Sequence, residues 1–189
     1  MYKHDLLMID LEFTGIDVTK HEIIQIAGVL LDKKTLKEKK SFMSYIKPKH
    51  WRNRDPESMK INNITWDDLK DAPDIKKVLQ KFNRTFGAEV TPTFYGGRLD
   101  IIFLSAAYRD EKIKYPFDYH INDLWPLCYT FMAMHKQLKN KKRHLGFSLE
   151  NVGDYLGVKR MPERHNAIGD CLYQAEVLRA LLKAMKAKK

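Results

Sequence analysis

Leu6-Leu7-Met8-Ile9-Asp10-Leu11-Glu12-Phe13-Thr14-Gly15 is an apolar run that ends in two carboxylates one residue apart. Residues 5–10 read as a buried strand, and Thr14-Gly15 breaks it. Side chains alternate between the two faces of a strand, so Asp10 and Glu12 point the same way. Two acids on one face of an apolar sheet repel each other and are poorly solvated. A divalent cation turns that arrangement into a ligand field, since Mg²⁺ and Mn²⁺ prefer hard oxygen donors. A strand end that simply reaches water accounts for the same two residues, and the stretch alone leaves both readings open.

Composition narrows the context. The 189 residues, 44% of them hydrophobic, suit one domain with its own core, covering residues 1–189. Its folded part is expected over about 5–183, with a basic tail at 184–189. The apolar run near Ile23–Leu31 is interrupted by Gln25 and is too short to span a bilayer. No signal peptide is legible at Met1-Tyr2-Lys3-His4-Asp5, and the two cysteines, Cys128 and Cys171, make no disulfide framework. A reducing, cytoplasmic setting without a membrane partner is the expectation. Lys and Arg number 34 against 24 acids, a formal charge of +10 that favours a polyanionic partner such as nucleic acid.

Outward from the opening stretch, a second strand is predicted at 22–31 and a third at 41–47, joined by the lysine-rich turn 33–40. Three early strands with short connections predict an antiparallel meander. Residues 48–64 read as irregular. Thr65 suits the N-cap of a short helix at 66–70, with Asp67 and Asp68 as helix-start acids rather than metal ligands. Ile75, Val78, Leu79, Phe82 and Phe86 recur at a helical period, opened by Asp74 and closed by Gly87. A strand at 90–95 ends at Gly96-Gly97, and a helix at 99–110 turns Ile102, Phe103 and Ala106 inward. Asp100 therefore sits at a strand-to-helix junction, where α/β sheets collect ligands. A short strand at 121–125 is followed by a helix to about Leu138, and Ser148 caps a helix through Leu156. The last helix covers about 166–185, with Ala167, Cys171, Ala175, Leu178, Leu182 and Met185 in one stripe. The turn 33–40 and the basic loop 136–144, including Lys141, Lys142 and Arg143, are candidates for phosphate contacts.

Asp170 lies about one turn inside that helix, at the edge of its apolar stripe, where an acid is unusual unless paired or metal-bound. Five residues span about 140° of an ideal helix. His165 and Asp170 therefore share no helical face, and His165 is expected at the helix start or just before it.

Asp10-Leu11-Glu12-Phe13-Thr14-Gly15, Gly97-Arg98-Leu99-Asp100-Ile101-Ile102-Phe103-Leu104 and His165-Asn166-Ala167-Ile168-Gly169-Asp170 together resemble the three motifs of the DEDDh exonucleases. That group includes the proofreading subunit of DNA polymerase III, ribonuclease T and oligoribonuclease. Ile23-Ile24-Gln25-Ile26-Ala27 is similar to the group's second strand. Leu149 to Val158 is similar to the helix before its third motif, so the resemblance runs from about 5 to 183. Two departures stand out. Tyr95-Gly96-Gly97-Arg98 replaces the His-Asn that often precedes the second motif's Asp, and Phe13 replaces a frequent Thr.

The resemblance implies an α/β, ribonuclease H-like exonuclease fold. Its central mixed five-stranded sheet has three antiparallel strands, then parallel ones, with flanking helices. It implies a 3′–5′ exonuclease that releases nucleoside 5′-monophosphates from single-stranded DNA or RNA 3′ ends. Two ions, Mg²⁺ or Mn²⁺, would be held by Asp10, Glu12, Asp100 and Asp170. Catalysis would fall to those four and to His165 as general base. Phe13 and Thr14 would meet the terminal nucleotide. A free-standing enzyme and a partner of a DNA polymerase fit equally well, and nothing marks an oligomer interface. The competing readings are a non-catalytic nucleic-acid-binding module on the same scaffold and a metal-dependent phosphatase.

Overall fold

A computed structural model describes residues 2–117, 119–138, 148–160 and 166–187. His165 and the basic trio Lys141, Lys142 and Arg143 lie outside the described residues. The five strands are β1 (Asp5–Phe13), β2 (Ile23–Leu31), β3 (Glu38–Tyr45), β4 (Val90–Phe94) and β5 (Asn122–Asp123). They form one sheet in the order β3-β2-β1-β4-β5. The β1–β2 and β2–β3 pairs are antiparallel, whereas β4 runs parallel to β1 and to β5. This is the mixed sheet expected from the sequence.

β1 continues beyond residue 10 because its ladder with β2 carries on through Asp10↔Ala27 and Glu12↔Gln25 to a bulge before Phe13. Within the strand's interior, from Leu6 to Glu12, only Asp10 and Glu12 escape full burial. β3 starts earlier than predicted, at Glu38, so Lys39 and Lys40 belong to the sheet edge rather than to the turn. Lysines there discourage edge-to-edge pairing with another chain. β5 is only two residues long. Pro92, which offers no N–H to a ladder, therefore stands in β4 beside a nearly open edge.

Seven helices flank the sheet among the described residues: α1 (Pro56–Asn62), α2 (Trp66–Leu69), α3 (Ile75–Phe86), α4 (Arg98–Asp110), α5 (Leu124–Met134), α6 (Leu149–Leu156) and α7 (Ala167–Lys186). Leu6 and Met8 of β1 face α5, α6 and α7, while Leu7, Ile9 and Leu11 face α3 and α4. The alternation of one strand thus supplies both cores. Gly28 allows the second core to close, since a Cβ there would lie 2.8 Å from the Phe86 ring and 2.9 Å from the Phe82 ring.

α1 falls in the stretch read as irregular. Asp55 caps it by accepting from the Ser58 N–H at 2.9 Å, and Pro56 takes its first turn. The capping role assigned to Asp68 holds: its carboxylate accepts from both the backbone N–H (2.8 Å) and the hydroxyl (2.6 Å) of Thr65. Ile102 does not turn inward but is 40% exposed, and Leu104 takes the buried place beside Phe103. On α7 the fully buried positions end at Leu178 and Leu181, with Leu182 and Ala184 still packed against the core, while Met185 is 45% exposed.

Candidate metal centre

β1 and β4 pair only from Asp5↔Val90 to Met8↔Thr93 and then part. The second half of β1 thereby gains a free side at the point where the sheet changes direction. α4 starts in that gap and carries Asp100 in its first turn. α7 starts across the opposite face and carries Asp170 in its first turn. Helix N-termini favour negative charge, which suits an acid at each place.

Asp10, Glu12 and Asp170 each offer a carboxylate oxygen, and these oxygens lie within 4.8 Å of one another. Asp100 stands next to this trio. Its carboxylate takes the backbone N–H of Leu11, and its charge raises the pKa of Asp10. The structure thus brings together all four sequence-predicted acids.

Their electrostatics reflect crowding. Burial, then the charges of Asp100, Asp170 and Glu12, pushes the Asp10 carboxyl far above the carboxylate range. Burial, then Asp170 and Asp100, pushes Glu12 up to about 8. Asp100 is raised to about 6, chiefly by burial. Without a cation the cluster therefore holds protons near neutrality, the behaviour of a donor set that lacks its counter-charge. Three hard oxygen donors gathered in this way offer a ligand set for a divalent cation.

Three residues missed by the sequence reading complete the surroundings. Gln25 interrupts the apolar run of β2, and its Oε1 accepts the Ala167 N–H at 2.9 Å. It thereby ties the start of α7 to the strand next to Glu12. Gln174, one turn beyond Asp170, donates from Nε2 to Asp10 Oδ1 at 3.1 Å. Its own Oε1 is buried and finds no partner among the described residues. Arg160, from the α6–α7 connection, pairs with both Glu150 and Asp170, and its guanidinium lies 5.2 Å from the Tyr173 ring centre. Only 16% of its side chain is exposed, so it is a fixed positive charge at the edge of the cluster. Gln25 was legible as a polar residue in a buried strand; Arg160 carries no local signal at all.

Phe13 is half-buried, with its ring 4.3 Å from that of Phe103. Thr14 is buried: its N–H donates to Glu22 O (2.9 Å), its carbonyl accepts from Asp55 N (2.7 Å), and its hydroxyl accepts from Glu22 N (2.9 Å). A cavity of about 280 Å³ between α4 and the loops around His21 and His50 contains none of the four acids. Among the described residues no helix is long and apolar enough to cross a membrane.

Residues 7–178 match the RNase_T family, described as "Exonuclease". The chain belongs to this exonuclease family, and the fold is that of a nuclease. No curated protein sequence matches the chain at a significant level. Among solved structures, the chain resembles cell-death related nuclease 4 (CRN-4) with TM-score 0.81 and 19% identity. That match covers 96% of this chain and 64% of the other, so the chain spans less than two thirds of that protein. It resembles the nuclease domain of 3′hExo, a DEDDh family member bound to rAMP, with TM-score 0.74, 21% identity and coverage of 97% and 94%. For E. coli Exonuclease I in complex with a dA16 oligonucleotide, the TM-score is 0.77, the identity 18% and the coverage 96% and 41%.

Proposed function

We propose that the chain is a metal-dependent 3′–5′ exonuclease of the DEDDh type that acts on single-stranded nucleic acid and releases nucleoside 5′-monophosphates. The observation that carries this reading is the convergence of Asp10, Glu12 and Asp170 within 4.8 Å, with Asp100 beside them, in a chain of the exonuclease family. The structural relatives bound to rAMP and to dA16 support a nucleic-acid 3′ end as substrate, with either sugar. A single catalytic domain spans residues 1–189 in this reading.

Asp10, Glu12, Asp100 and Asp170 would hold two divalent ions, Mg²⁺ or Mn²⁺. Bound there, such ions would supply the positive charge that activates water and stabilises the leaving 3′ oxygen. Asp10 feels the charges of Asp100, Asp170 and Glu12 together, which suits it to serve both ions. Gln174 fixes one oxygen of Asp10 and so orients the other. His165, which directly precedes the α7 N-cap Asn166, would accept the proton of the attacking water. Phe13 would pack against the terminal base, backed by Phe103. Thr14 would line the same place through its backbone carbonyl, which keeps a second lone pair beyond its bond to Asp55. Phosphoryl transfer needs positioned charge rather than a covalent nucleophile. Accordingly Cys171, buried and hydrogen-bonded to Met8 O, has no part in it.

The test uses 5′-end-labelled single-stranded DNA and RNA with Mg²⁺ or Mn²⁺, comparing the wild type with Asp10→Ala and His165→Ala. Stepwise shortening from the 3′ end is expected, abolished by Asp10→Ala and strongly reduced by His165→Ala. Intact full-length substrate with both metals, or full activity in Asp10→Ala, would overturn the reading. Hydrolysis of phosphate monoesters alone would replace it with a phosphatase.

A further inference from the structure

We propose that Trp51 and Trp66, together with Arg54 and Lys47, form a stacking platform for the single strand upstream of its 3′-terminal nucleotide. The proposal rests on the exonuclease reading and adds a second contact region to that site.

The two indole rings lie 5.5 Å apart with a 37° tilt. The Arg54 guanidinium sits 4.8 Å from the Trp51 ring centre, and the Lys47 ammonium 5.9 Å from that of Trp66. Core packing accounts for Trp51 but not for Trp66. The small core below consists of Ile24, Ile64 and Leu69, with Tyr45, Trp51 and Met59 against it. Trp66 is not among them and stays 40% exposed. It opens α2, a helix of four residues that needs no tryptophan for its cap.

Charge around the rings is asymmetric. Four neighbouring acids are already engaged. Asp55 and Asp68 cap helices, Glu57 pairs with Lys60, and Asp67 pairs with Lys70. Lys47, Arg52 and Arg54 have no acidic partner among the described residues. Aromatic faces beside unneutralised cations are what a single strand uses, bases on the rings and phosphates on the cations. A protein partner would make less use of cations laid over the rings.

The platform also stands in the right place. Glu12 pairs with Gln25, and Gln25 with Tyr45, in one row across the sheet. Neighbouring strands are about 4.8 Å apart, so Tyr45 lies about 10 Å from Glu12. Tyr45 and Trp51 pack on the same small core. α1, bracketed in sequence by the two tryptophans, is fastened to the residues after Glu12. Asp55 N–H donates to Thr14 O at 2.7 Å, and Asn62 Nδ2 donates to Phe13 O at 3.0 Å. A strand whose end rests on the carboxylates and leaves past Phe13 would run toward α1 and the two tryptophans that bracket it.

The experiment compares wild type, Trp66→Ala and Trp66→Phe in two assays. The first is binding of a fluorescently labelled long oligothymidylate in chelator, read by anisotropy. The second is cleavage of that oligomer and of a dinucleotide in Mg²⁺. Trp66→Ala is expected to weaken oligomer binding about tenfold and to raise KM on the oligomer by a similar factor. Dinucleotide cleavage should be unchanged, and Trp66→Phe should restore most of the affinity. Unaltered oligomer affinity in Trp66→Ala, or an equal loss on the dinucleotide, overturns the platform. If the wild type cleaves neither substrate, the exonuclease reading falls while the binding assay still decides the platform.

Discussion

Glu12→Gln removes one charge from the carboxylate cluster and keeps the shape of the side chain, and it should make the metal-free protein more stable. In that state Glu12 has its pKa raised from 4.5 to about 8, by burial first and then by Asp170 and Asp100. A carboxyl whose folded pKa lies above its unfolded one contributes stability that is complete below the unfolded value. That contribution is lost as the pH climbs through the folded value, so the chelated wild type weakens from about pH 4.5 to about pH 8. At about 1.4 kcal/mol per pKa unit, ionising Glu12 alone in this field costs the fold about 4–5 kcal/mol. The repulsion is shared, and a proton on Asp10 or Asp100 relieves part of it. We therefore expect Glu12→Gln to recover about 1–3 kcal/mol at about pH 8 and nothing at about pH 4. For a chain of this size that is a Tm increase of about 2–10 °C. Thermal unfolding in chelator at the two pH values, followed by circular dichroism, measures it. Excess Mn²⁺ should reverse the order, because only the intact ligand set gains stability from the bound ion. Equal Tm values at about pH 8, or the same gain at both pH values, would refute the reasoning.

Two further substitutions probe the surroundings of the cluster. Arg160→Ala removes a cation that pairs with Asp170, so a divalent ion no longer has to displace it. Mn²⁺ affinity by calorimetry should rise severalfold while the metal-free Tm falls, and a weaker affinity would instead make Arg160 a support of the ligand set. Gly153→Ala places a Cβ 1.9 Å from Tyr173 Oη and 2.8 Å from its Cζ, forcing α6 off α7. Overpacking of this kind costs about 1–3 kcal/mol, and a Tm within about a degree of wild type would contradict that contact.

What could be read from the sequence follows from how far apart the interacting residues are along the chain. Asp10 and Glu12 declare a shared face through an alternation of two, a property of the strand itself, and the structure keeps it. The caps at Asp74 and Ser148, and the Asp68 carboxylate that takes the Thr65 N–H, were legible for the same reason, each side chain acting on a backbone group three residues away. α1 was overlooked because seven residues leave too little room for a helical period, although Asp55-Pro56 is a good helix start. Asp100 was marked by its strand-to-helix junction and Asp170 by its place at the edge of an apolar stripe, while the order of the three motifs assigned both to one site with β1. Gln25 and Arg160 show the remaining limit. The hydrogen bond of Gln25 reaches 142 positions along the chain, and no local pattern encodes such a partner. The value of Gln25 appears only when β2 and the start of α7 are in place. A polar side chain in a fully apolar strand is costly unless something far away satisfies it. Such a residue in a sequence is therefore best read as a request for a distant backbone group. Here that group is the Ala167 N–H, at the first residue of α7 and three positions before Asp170, so the bond holds the start of that helix to β2 beside the acids.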